Sequence, residues 1–189
     1  MRRTMWQLRR CLQVSGVLLI LILSCIMPAA HACGKSGEIS QGAAGLSLPT
    51  AEVLLIIDGA IDRANVAGEA HLDIGMLQVL PTQGLQTTTA VTDGVRRFDG
   101  FLMRDVLSLV CAKGTQVGAQ ALNNYSVDIP IADFHDYDVL LATHMDGERL
   151  LPSGKGPFWI VYPRDQWRQL QDIRYDYRWV WQVNRLTVK

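Results

Sequence analysis

The stretch "VLLATHMDGERLLPSGKGPFWIVYP", Val139 to Pro163, holds the pattern that decides the fold. Val139 to Ala142 reads as an apolar strand, Asp146-Gly147 as a tight turn into a short return, and Phe158 to Tyr162 as a second apolar strand closed by Pro163. Downstream, "RDQWRQLQDI" reads as a polar helix and "YRWVWQVNRLTV" as the last strand, with Trp179 and Trp181 on one face and Arg178 on the other. Upstream, Val53 to Ile57 form a continuous apolar strand, "HLDIGMLQVLP" a short helix stopped by Pro81, and "GLQTTTAVTDG" a strand with a turn at Asp93 and Gly94. "FDGFLMRDVLSLVCAKG" places Leu102, Val106, Leu109 and Val110 on the stripe of a core-facing helix ended by Gly114. "QVGAQALNNYSVDIP" gives two strand pieces interrupted at Asn123 and Asn124. Strands outnumber helices, in an irregular order without a repeat, so the sequence predicts one α+β domain with a single mixed sheet over residues 51–189.

The amino end has a different character. "MRRTMWQLRR" is basic, "VSGVLLILILSCIM" is apolar but short for a span, and "PAAHA" supplies small residues. That order predicts a secretory signal over residues 1–32, cleavage after Ala32, a periplasmic or otherwise exported chain, and no transmembrane span after processing. Cys33 would then lead the mature chain and is open to lipidation, and residues 33–50, rich in Gly and Ser, read as a flexible leader. Cleavage removes four arginines and no acid, leaving 14 basic against 18 acidic side chains. Such a balance lacks the basic footprint that nucleic acid requires. Cys111 in the helix reads as a buried thiol, with a disulfide to Cys33 as the alternative an oxidising compartment allows.

Few stretches carry chemistry. His71, His135 and His144 are scattered, "FHDYD" around His135 reads as a solvated loop, and no nucleophile elbow, phosphate loop or CxxC occurs, so no catalytic or metal-ligating residue is assigned. In the strand "LQTTTAV", alternation sends Thr87 and Thr89 to one face and Thr88 to the other, so at least one hydroxyl points inward and needs a partner or a cavity. Gly154 and Gly156 bracket Lys155, leaving the backbone free for close approach and offering an ammonium to an anion. A surface turn explains the same spacing, as core packing explains the tryptophans.

In this order, "VLLATHMDGERLLPSGKGPFWIVYP" and "YRWVWQVNRLTV" resemble the second half of the sulfite-oxidase-type molybdopterin-binding domain. "FDGFLMRDVL" is similar to that family's W-x-G-x-x-L-x-x-L-L segment, and "NNYSVDIPIAD" to its Asp-Gly-Tyr strand, so the resemblance covers about residues 51–189. It implies a molybdopterin pocket formed by Thr87, Thr89, Asn124, Tyr125, Lys155 and Arg178. With Val91 standing for the family's tryptophan, Thr87 falls where the family places the cysteine thiolate that binds molybdenum. A hydroxyl ionises far above neutrality and does not replace a thiolate as a soft ligand. Trp159 stands where the family has an arginine. The resemblance therefore implies a degenerate exported member with no cofactor expected, binding a small anionic or polar ligand or a partner protein. The alternative it leaves is a molybdopterin-dependent oxidoreductase; the apolar "VLLILIL", favouring unfolded secretion over folded export, weighs towards an empty domain.

Overall fold

The structure, a computed structural model, describes residues 45–189. The predicted signal and all but the end of the leader lie outside the described residues. Ten strands form one sheet with the path β2-β1-β10-β9-β7-β4-β3, onto which the β5/β6 hairpin and β8 are added. The strands are β1 Leu55–Gly59, β2 Ala70–Leu72, β3 Thr82–Thr89, β4 Thr92–Leu102, β5 Gln116–Ala121, β6 Ser126–Pro130, β7 Leu140–Met145, β8 Glu148–Arg149, β9 Phe158–Val161 and β10 Trp181–Val188. Only the β1/β10 pair is parallel among the pairings between these strands, so the sheet is mixed as the sequence predicts. β9 is buried at all four positions, which its unbroken apolar run requires. β10 is the hub: its first residues pair with β9, and Arg185–Val188 lie between β1 and β5.

Four short helices complete the fold: α1 Ile74–Leu77, α2 Met103–Leu109, α3 Ile131–Asp136 and α4 Ile173–Asp176. Several elements differ from the sequence reading, including the His135 stretch, read as a loop, whose first residues Phe134, His135 and Asp136 end α3. Phe98 to Leu102, expected in the helix, extend β4 along β7, because that pairing hydrogen-bonds their backbone and places Gly100 against Leu141, where a Cβ would lie 2.2 Å from the carbonyl oxygen. The stripe inside α2 is consequently Met103, Val106 and Leu107. The polar helix is one 3-10 turn, Arg168–Gln171, and then α4; between them Asp172 is extended and its carboxylate accepts from the Arg174 N–H. The last strand begins only at Trp181, so Trp179 and Trp181 share no strand face: Trp179 stacks on Tyr162 and Trp181 meets Trp159 edge-on. Cys111 is buried as expected, but disulfide-bonded rather than a thiol; the other three cysteines lie outside the described residues.

The end of the leader is tied down. Leu46 packs against the core, and Asp73 accepts from Thr50 N–H at 2.7 Å and Ala51 N–H at 3.0 Å while capping α1 through Met76 N–H at 2.9 Å. The hydrogen bonds from Met76 and Thr50 N–H hold the Asp73 carboxyl below the usual carboxylate range. A depressed folded value contributes stability that is present above about pH 4 and lost as pH falls through it. Asp73→Ala is expected to lower the melting temperature by several degrees at pH 7 and much less at pH 3, read by calorimetry. An equal shift at both pH values would show that the carboxylate's charge contributes nothing.

Candidate ligand clefts beside the threonine strand

The alternation read in the sequence holds: Thr87 and Thr89 are buried and Thr88 half-buried. Their hydroxyls are engaged within the protein. The carboxylate of Asp165, 77 residues away in sequence, accepts from Thr88 N–H and Thr88 Oγ1, both at 2.6 Å. The Asp165 N–H donates in turn to Thr87 Oγ1 at 3.3 Å, which itself donates to the Thr88 carbonyl at 3.2 Å. Thr89 Oγ1 shares a hydrogen with Thr92 Oγ1 at 2.7 Å and accepts from Val91 N–H at 3.1 Å, closing the β3/β4 turn. An internal carboxylate thus occupies the donors that this strand would offer to a bound anion.

Two clefts lie on either side of residues 172–181. One, about 430 Å³, is lined by Ala90 and Val91 of the β3/β4 turn, by Tyr125, and by Tyr177, Trp179 and Trp181, with Asp176 as its charged residue. The other, about 530 Å³, is lined by Arg168, Arg174, Arg178, Gln169, Asp172 and Tyr175. One turn of helix therefore separates an aromatic cleft from an arginine-rich one. In the second cleft Arg174 is held bidentately by Asp172, whose carboxyl this pairing brings down to about 2. Arg178 donates to Asp133, which also accepts from Tyr162 Oη at 2.8 Å, and its guanidinium lies over Tyr175 at 4.6 Å.

The sequence-predicted residues are divided among these surroundings. Tyr125 lines the aromatic cleft, its hydroxyl donating to the Tyr177 carbonyl at 3.1 Å. Asn124 takes a positive φ of 65° in the exposed β5/β6 turn, where its side-chain oxygen accepts from Gln120. The Lys155 ammonium sits over the rings of Trp181 at 4.3 Å and Trp159 at 5.0 Å. Arg178 lines the arginine cleft, so Lys155 and Arg178 have different partners rather than one shared pocket. Gly156 serves the chain itself, since a Cβ there would lie 2.2 Å from the Leu150 carbonyl oxygen. Gln182 was invisible in the sequence: its N–H donates to the Lys155 carbonyl and its side chain to those of Pro152 and Gly154, fastening the glycine loop to β10. Asp165 and Asp176 were missed likewise, because each sits in a polar run that reads as solvated surface.

Residues 66–167, more than half of the chain, match the family described as the oxidoreductase molybdopterin binding domain, and the chain belongs to that family. Among solved structures it is similar to the crystal structure of the sulfane dehydrogenase SoxCD from Paracoccus pantotrophus, with a TM-score of 0.54 and 19% identity. The match covers 76% of this chain and 40% of that one, and at this identity it establishes the α+β fold. No curated protein matches the chain. No helix among the described residues is long and apolar enough to cross a membrane.

The side chains at the threonine strand do not fit a molybdenum–thiolate centre. At the position that the family resemblance gives to the thiolate, the donors are hydroxyls already bonded to Asp165, Thr88 and Thr92. The Asp165 carboxylate bonded to Thr88 opposes an anionic pterin phosphate or dithiolene there. Among the described residues the sole cysteine is the disulfide-bonded Cys111, and no three His, Cys, Asp or Glu side chains gather as a metal site.

Proposed function

We propose that this chain is an exported accessory member of the molybdopterin-binding family, which binds a small ligand or a partner protein without molybdenum–thiolate redox chemistry. The observation that carries this reading is the Asp165 carboxylate bonded to Thr88, beside Thr87 in the thiolate's place. The signal-like order of residues 1–32 supports export. Lys155 and Arg178, the cations assigned to a pterin phosphate, are held instead by aromatic rings and by Asp133. Family membership favours the second reading, a molybdopterin-dependent oxidoreductase.

Metal and pterin analysis of protein purified from its native compartment separates the two. The expected result is molybdenum far below one per chain, unchanged by Thr87→Cys, because the restored thiol still faces Asp165 and lacks the arginine that Trp159 replaces. Molybdenum near one per chain with sulfite or sulfoxide turnover would establish the oxidoreductase instead.

A further inference from the structure

We propose that the aromatic cleft between the β3/β4 turn and Trp179–Trp181 binds an organic cation, a quaternary or alkylated ammonium group. Four aromatic residues line it, Tyr125, Tyr177, Trp179 and Trp181. Trp179 and Trp181 each give a ring contact to the core, to Tyr162 and Trp159, whereas Tyr125 and Tyr177 pack on no other ring among the described residues. Aromatic faces attract cations through their quadrupoles, and an alkylated ammonium leaves water more readily than a primary one. Lys155 shows that these rings accept a positive charge, its ammonium lying 4.3 Å from the Trp181 centroid.

Charge decides between ligand classes. Asp176 is the one charged residue lining this cleft; its buried Oδ1 accepts no hydrogen bond and forms a long ion pair with Arg164 at 3.8 Å, which leaves its charge only partly compensated. The three arginines that would draw an anion line the other cleft, on the far side of residues 172–181. A cleft of about 430 Å³ holds a trimethylammonium head with a further substituent. The contribution of aromatic walls and a single carboxylate is additive for a cation, weaker for a neutral molecule of the same shape, and opposed for an anion.

The test uses the processed full chain, titrated with choline and with its uncharged carbon isostere 3,3-dimethyl-1-butanol, followed by tryptophan fluorescence and calorimetry. Choline is expected to bind about tenfold or more tightly than the alcohol. Asp176→Asn is expected to lower choline affinity about tenfold without changing that of the alcohol, and Lys155→Gln to raise it by removing a competing cation. Ala90→Trp, at an exposed turn position on the cleft wall, is expected to abolish both. Equal affinity for the two probes, no saturable choline binding, or choline binding that survives Ala90→Trp would overturn the proposal. The inference rests on reading the chain as a binding domain, and the two fail separately. Molybdenum at one per chain removes that reading whatever choline does, and absent choline binding removes this site whatever the metal content.

Discussion

Trp159→Arg, which writes the family's arginine into this chain, is expected to abolish folding rather than to restore a cofactor contact. Trp159 is fully buried in β9, with Phe98 edge-on at 5.3 Å and Trp181 at 6.2 Å. Truncating a buried tryptophan costs about 3–5 kcal/mol through lost contacts and the cavity left behind. A guanidinium there adds the desolvation of an unpaired charge, about several kcal/mol, beside the Lys155 ammonium that now lies 5.0 Å from the ring centroid. Together these match the whole stability of an ordinary domain, about 5–15 kcal/mol. Soluble yield and near-ultraviolet circular dichroism check the outcome, with Trp159→Phe as a control that retains the fold. A folded Trp159→Arg within about 2 kcal/mol of the parent in urea unfolding would mean that this position still tolerates the family's charge.

Asp133→Ala is expected to cost about 3–4 kcal/mol in urea unfolding. Asp133 is 10% exposed and receives both the Arg178 guanidinium and the Tyr162 hydroxyl. Burial, reinforced by the Asp133 charge, drives the Tyr162 hydroxyl far above its ordinary value, so it remains a proton donor at every working pH. Burial alone would lower the Arg178 value, but the hydrogen bond and charge of Asp133 raise it overall, and the guanidinium stays charged. Removing Asp133 therefore leaves a buried donor and a largely buried cation without an acceptor. Asp133→Leu combined with Arg178→Met, which removes both charges, is expected to recover most of the loss. A single-mutant cost below about 1 kcal/mol would show that water screens the pair as it does at a surface. This pair also anchors residues 172–181, the wall between the two clefts, so the single mutant is expected to loosen ligand binding in both.

The sequence by itself determined what depends on neighbours a few residues apart. The apolar run Phe158–Val161 required a strand, Asp146-Gly147 required a turn, and the threonine alternation put Thr87 and Thr89 on one face and Thr88 on the other, since each follows from backbone period or from φ tolerance. The ordered motifs identified the family and the absence of a cysteine in the threonine strand. Tertiary structure decided where each polar group finds its partner. Thr88 meets Asp165 across 77 residues and Arg178 meets Asp133 across 45, separations at which no local period constrains which side chains touch. The same competition turned Phe98–Leu102 from helix to strand, because the hydrogen bonds offered by β7 outweigh a weak helical stripe. Aromatic residues that read equally as core or pocket in the sequence were divided by burial: Trp159 lies in the core, whereas Tyr125, Tyr177 and Trp181 face a cleft, with β10 beginning at Trp181, four residues after the Tyr177 start that the sequence suggests.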